Sequence, residues 1–265
     1  MHLPKVNAVR DTKILHQFIH QNPLGILTTA VRSDTHPFLQ ASHIPWVLDS
    51  DAEATTSGLG KLRGHIARQN PQSKAIIDQI SQSSDNSTSP YLAEDVLILF
   101  NGPVHHYVTP KFYLQTKPET GKVVPTWDYE AVEVYGRAKI FADSKAPETG
   151  AFLAQQIDDL SNNMESSVMG HTKDNGVEPW KVADAPARYI ELLSKNIIGI
   201  EIEITNMGGR FKWSQEKPAG DRAGVIEGFA KLDKPESALL SHKVAEQARI
   251  FDEEKKASKA QTSIA

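Results

Sequence analysis

The sequence predicts a mainly β protein with peripheral helices, an α+β chain whose antiparallel sheet closes into a barrel. Three observations predict it. Six or seven segments carry the alternation or the β-branched and aromatic enrichment of strands. Helical spacing is confined to stretches between and around them, and no strict βαβ alternation or internal repeat links them into a parallel sheet.

Taken in order, Asp11 is a suitable cap for a helix over "TKILHQFIHQ", which places Ile14, Leu15, Phe18 and Ile19 on one face and stops at Asn22-Pro23. Segments 24–31 and 36–49 then read as a β-hairpin turning at "RSDT". A strand ending near Arg68 passes through Asn70-Pro71 into a short helix, "PQSKAIIDQI", and the polar run 81–90 reads as a mobile insertion. Strand patterns return at 95–103, 105–110 and 127–142. Residues 147–163 form a helix that covers a sheet through Phe152, Leu153, Gln156, Ile157 and Leu160. A surface loop is expected at 166–179, a helix at 185–196, and the clearest alternating strand, "IIGIEIEIT", at 197–205. Gly208-Gly209 reads as a turn into "RFKWSQ", and 221–229 as a closing helix. The composition then shifts, so residues 1–232 read as one domain and 233–265 as a charged, mobile tail.

Composition removes several classes of function. The chain has no cysteine, which excludes disulfides, thiolate metal sites and cysteine nucleophiles. The formal net charge of -4 argues against a large nucleic-acid footprint. No apolar run has a membrane-spanning length and the first residues lack a signal-peptide core, so a soluble cytoplasmic protein is expected. Walker, Rossmann and nucleophile-elbow motifs are absent from the sequence.

Four stretches could carry chemistry. In "LRGHIARQNPQ", His65 and Arg68 stand just upstream of a helix start at Asn70 and Gln72, where unpaired N–H groups and the helix dipole favour an anion such as phosphate. "FNGPVHHYVTP" repeats the plan at Thr109-Pro110, so the two corners could converge on one pocket. His105 and His106, adjacent on a strand, face opposite ways and do not suit one metal; both also read as packing or surface residues. In "VPTWDYEAV", Trp127 and Tyr129 share a strand face, either as core or as a wall for a planar ring, with Asp128 on the other side. "GGRFKWSQEK" offers Arg210, Lys212, Gln215 and Lys217 for a phosphate, or else a solvated basic hairpin.

Together "LGILTT", "HIPWVLD", "LRGHIARQNPQ", "VLILFNGPVHHYVTPKFY", "VPTWDYEAVEVYGRAKI" and "GGRFKWSQEKPAGDRAGVIEGF" resemble, from about Leu3 to Phe229, the PaiB family of FMN-binding split-barrel proteins. The resemblance implies a six-stranded split barrel related to pyridoxamine-phosphate oxidase, and a homodimer with cofactor sites between subunits. Bacterial members are named negative transcriptional regulators, although no helix-turn-helix or other DNA-binding element is evident here. The related piperazate synthases bind haem on the same scaffold; their motif histidine and tyrosine match His65 and Tyr107. Leu62 stands where that branch has a lysine and Ala67 where it has an acid, which departs from its N–N bond chemistry. The 81–90 and 166–179 stretches and the long tail exceed a compact bacterial member and suggest a eukaryotic, fungal homologue.

The resulting expectation is a dimeric FMN protein, an oxidoreductase in the first reading. Its phosphate site would draw on His65, Arg68, Asn70, Gln72, Lys212 and Gln215, and its flat apolar slot on Tyr107, Trp127 and Tyr129. The alternatives are a non-catalytic, PaiB-type transcriptional regulator, for which the nucleus is a further location beside the cytoplasm, and a haem b protein ligated through His65.

Overall fold

A computed structural model describes residues 1–51, 55–82 and 89–262. The strands are β1 (Ala8–Val9), β2 (Leu24–Ala30), β3 (Leu39–Pro45), β4 (Val47–Asp49), β5 (Lys61–Ala67), β6 (Val96–Asn101), β7 (His106–Val108), β8 (Thr126–Phe141) and β9 (Ile197–Lys212). The helices are α1 (Thr12–Gln21), α2 (Pro71–Gln82), α3 (Thr116–Thr120), α4 (Pro147–Asn163), α5 (Ala187–Ser194), α6 (Ala219–Ala230) and α7 (Ser237–Thr262). The chain divides into two compact units, Arg10–Phe100 with Val132–Gly208, and Met1–Val9 with Asn101–Ala131 and Gly209–Ala265. The long strands β8 and β9 each run from one unit into the other.

The larger unit, Arg10–Phe100 with Val132–Gly208, is the antiparallel barrel. Its strands follow the order β3-β2-β6-β8-β9-β5-β4, and β2 pairs with β3 from Leu24↔Pro45 to Ala30↔Leu39. The sheet curls until β3 and β5 approach each other: a Cβ on Gly64 of β5 would lie 3.1 Å from Ile44 of β3 and 2.8 Å from the Trp46 ring. Trp46 fits only because Gly25 and Gly64 have no side chains, since a Cβ on Gly25 would also meet its ring at 2.9 Å. Among the described residues no ladder joins the two ends of the path, so the barrel is split. Inward alternation fills it with Leu27, Ile44, Leu62, Ile98, Phe100, Ile198, Ile200 and Ile202, all buried. Nine strands are described, more than the six expected; β1, β4 and β7 are ladders of two or three residues, too short for a periodicity to register.

α1 starts where Asp11 accepts hydrogen bonds from the amides of Lys13 and Ile14. α4 lies on the outer side of the sheet: Phe152 stacks on Phe141 with centroids 3.9 Å apart and fills the space above Gly199. Asp159, two turns further along α4, pairs with Arg63 of β5 at 2.8 Å. The loop expected at 166–179 begins inside a one-turn π-helix, Met164–Val168, that continues from α4, and contains a short 3-10 turn, Lys173–Asn175. Of the 81–90 insertion, residues 83–88 lie outside the described residues.

The smaller unit corrects two expectations. Gly208-Gly209 is not a turn; β9 continues through it, because Val9 and Ala8 of β1 pair with Gly209 and Arg210. The segment from 233 is not a loose tail: α7 packs against α6, with Leu240 and Val244 fully buried. Arg222 of α6 makes a two-pronged contact to Asp252 of α7 at 3.0 and 2.8 Å.

Candidate functional site

The nine residues expected to bind a cofactor fall in both units, and each set has its own geometry. In the larger unit, Asn70 caps α2, its side-chain oxygen accepting from the Gln72 amide at 2.9 Å while its NH2 donates to Ser42 Oγ at 3.1 Å. Arg68 donates to the Ala142 carbonyl at 2.5 Å. The buried Gln72 side chain donates to Leu27 O, Thr29 Oγ1 and Gln40 O at 3.0–3.3 Å. These polar groups tie the corner to the hairpin and to the end of β8. His65 differs. It shares with Lys61 and Arg63 the face of β5 opposite to buried Leu62 and Ile66, and its Nδ1 is buried with no hydrogen-bond partner among the described residues. Burial pushes its pKa down, so the ring is neutral at physiological pH.

In the smaller unit, β7 pairs with the start of β8 and sets Tyr107 directly opposite Trp127. Both rings face solvent, 43% and 49% exposed, edge to face with centroids 6.3 Å apart. Trp127 Nε1 donates to His105 Nδ1 at 3.1 Å, which leaves the His105 proton on Nε2. His106 turns to other partners, with Nδ1 donating to the Tyr107 carbonyl at 2.7 Å and Nε2 accepting from Lys234 at 3.1 Å. On the face it shares with Trp127, Tyr129 lies beneath the Arg210 guanidinium at 5.6 Å. Together these side chains make an exposed aromatic shelf.

Beneath the shelf lies a polar layer. Lys212 Nζ donates to Thr126 Oγ1 at 2.6 Å and to the Trp127 carbonyl at 2.7 Å, and lies 3.4 Å from Asp128 Oδ1. Ser214 Oγ donates to the other Asp128 oxygen at 2.8 Å, and Ser214 takes a left-handed conformation with φ of 56°. Asp128 is fully buried, and loss of hydration pushes its pKa up to about 6 against the opposing pull of Lys212 and Ser214. One step along, Glu130 accepts from Trp213 Nε1 at 3.1 Å and pairs with Lys243 of α7 at 2.9 Å. Gln215 is internal too, its amide donating to Phe211 O and Val6 O and its oxygen accepting from Trp213 N. Lys212 therefore supports the shelf from within the protein, while Gln215 ties the chain after β9 to Val6 and Phe211.

The sequence reading missed Ser214, Glu130 and Lys243. A signal was present for Glu130: it alternates with the aromatics two residues from Asp128, which puts both acids on one face of β8.

Residues 1–206 match the family model described as "Putative FMN-binding domain", and the chain belongs to that family. The family expected from the motifs is the one found. An uncharacterized protein of Aspergillus fumigatus is 52% identical over 259 residues, covering 95% of this chain and 99% of the relative. "Protease synthase and sporulation protein PAI 2" of Bacillus subtilis is 24% identical over 241 residues, covering 91% of this chain and 95% of its own. Among solved structures, a flavocytochrome from Azotobacter vinelandii superposes with a TM-score of 0.43 at 10% identity, covering 77% of this chain and 69% of that one.

Proposed function

We propose that this protein binds FMN against the Trp127–Tyr107 shelf and acts as a flavin-dependent oxidoreductase. The observation that carries the reading is the exposed aromatic pair, held in register by β7 and β8 in a chain of an FMN-binding domain family. A planar ring system fits such a surface, because the two rings offer apolar area while His105 Nε2–H and the Tyr107 hydroxyl offer hydrogen bonds at its margin. Arg210 is the cation on that side and makes no carboxylate ion pair among the described residues, which suits it to a phosphate. Lys212 holds the Trp127 carbonyl from below and so fixes the indole's backbone. FMN bound there supplies hydride or single-electron transfer.

A homodimer is part of the proposal. The outer side of the β2–β3 hairpin exposes Leu24, Phe38 and Leu39, where an antiparallel sheet facing water normally carries polar residues. His65 favours a second reading, haem, since burial holds its imidazole in the neutral form that ligates iron.

The absorption spectrum of purified protein separates the readings. Flavin bands, or quenching of added FMN fluorescence, are expected, and Trp127→Ala should weaken FMN binding roughly tenfold through lost ring contact. A colourless protein that leaves FMN fluorescence unchanged overturns the flavin reading. A Soret band that His65→Ala abolishes moves the assignment to haem.

A further inference from the structure

Between α4 and α5 of the larger unit lies a crevice of about 1030 Å³, at the upper end of the range for small-molecule sites. It is lined by Ala151, Leu153 and Ala154 of α4 and by Ala183, Ala187 and Ile190. Small side chains usually occur where two helices touch closely. Here they leave a gap, and α5 buries none of its residues. An apolar space of this size facing water is unfavourable unless something fills it.

The charges at the rim select the occupant. Glu191 is answered twice, by Arg188 at 2.8 Å and Lys195 at 3.1 Å, and Asp159 is answered by Arg63. Asp158 lines the same crevice, and its one hydrogen bond comes from the neutral Asn162 amide at 3.2 Å; no cation pairs with it among the described residues. Counted over the crevice's own lining, three carboxylates, Asp158, Asp159 and Glu191, stand against one cation, Lys195, so the excess charge there is negative.

We propose that the crevice binds an amphiphilic cation, an amine whose hydrocarbon body lies between α4 and α5 and whose ammonium meets Asp158. The proposal is independent of the flavin reading, since none of the shelf residues lines the crevice.

The test uses the full chain with three probes of equal length: octylammonium, octanol and octanoate, followed by calorimetric titration and by the shift of the unfolding temperature. Octylammonium should bind more tightly than octanol, and octanoate should bind least. Asp158→Asn should weaken octylammonium about fivefold, the effect of one exposed ion pair, and leave octanol unchanged. Ala154→Trp, which fills the slot, should abolish binding of all three while leaving the flavin spectrum as it was. Should Ala154→Trp fail to fold, the Asp158→Asn comparison decides alone. Equal affinity for octylammonium and octanoate, no binding of octylammonium, or binding indifferent to Asp158→Asn would overturn the proposal.

Discussion

Asp128 shows how much of a site one residue can hide. In the sequence it is an acid between two aromatics, and strand alternation alone separates it from them; nothing in the spelling says that the far side is closed. The sheet buries it, and burial rather than its neighbours raises its pKa to about 6. The linkage has a definite sign. A carboxyl whose pKa is higher in the folded state holds its proton more tightly there, so its contribution is fully present below the unfolded value and is lost as pH rises through about 6. The loss amounts to roughly 3 kcal/mol between the ordinary aspartate value and neutral pH. Asp128→Asn removes the titration. Urea unfolding of both proteins from pH 4 to pH 7.5 should show the wild type losing stability relative to the variant across that interval; a constant difference would show that Asp128 ionises as freely as in the unfolded chain. His65, Arg68 and Gln72 teach the complementary lesson. Their positions at a capped helix start were legible, but a sequence does not say which donors the backbone will occupy, and Arg68 and Gln72 are bound to carbonyls.

At the scale of elements, strong periodicity was readable and weak periodicity was not. "IIGIEIEIT" alternates cleanly and is the first part of β9, and the spacing of α1 and α4 gave both helices and part of their buried faces: Leu15, Phe18 and Ile19 are buried on α1 but Ile14 is exposed, and on α4 Leu153 and Gln156 are buried while Phe152, Ile157 and Leu160 are half-buried. The two failures share a cause, which is that a partner distant in sequence outweighed local propensity. Gly208-Gly209 stays extended because β1 pairs with it. The stretch from 237 to 262 is lysine- and glutamate-rich, with apolar residues only at wide intervals, yet Leu240 and Val244 find α6 and become core. Removing residues 237–265 would uncover that α6 surface and strip Glu130 and Arg222 of Lys243 and Asp252. Such a truncation should cost more than about 3 kcal/mol, from lost apolar burial and from a buried carboxylate left without its cation. Denaturant melts of the truncated chain check it; an unchanged midpoint would restore the reading of this segment as a dispensable tail.

For the molecule as a whole, the β class was readable because each of the longer strands carried its own pattern, whereas what lies outside the barrel was not, since a single chain's sequence does not distinguish a residue facing water from one facing another protein. The outer side of the β2–β3 hairpin is such a place. Leu24 and Leu39 are more than half exposed, and the cross-strand register puts Leu24 opposite Pro45 and Ala30 opposite Leu39, so apolar side chains outnumber the polar Thr28 and His43 on that side. Edge strands are usually protected by charge, and β3 lies at one end of the sheet path with no lysine or acid in "LQASHIP". A monomer would leave this surface open to non-specific pairing, whereas two copies joined across it would cover both at once, with the same residues meeting on each side as two-fold symmetry requires. Light scattering at micromolar concentration should therefore give twice the chain mass of 29.2 kDa. The double variant Leu24→Glu, Leu39→Glu places like charges face to face across that contact and should yield a folded monomer with an unchanged circular dichroism spectrum. A wild-type monomer, or a variant that stays dimeric, would show that this side of the barrel is not where copies meet.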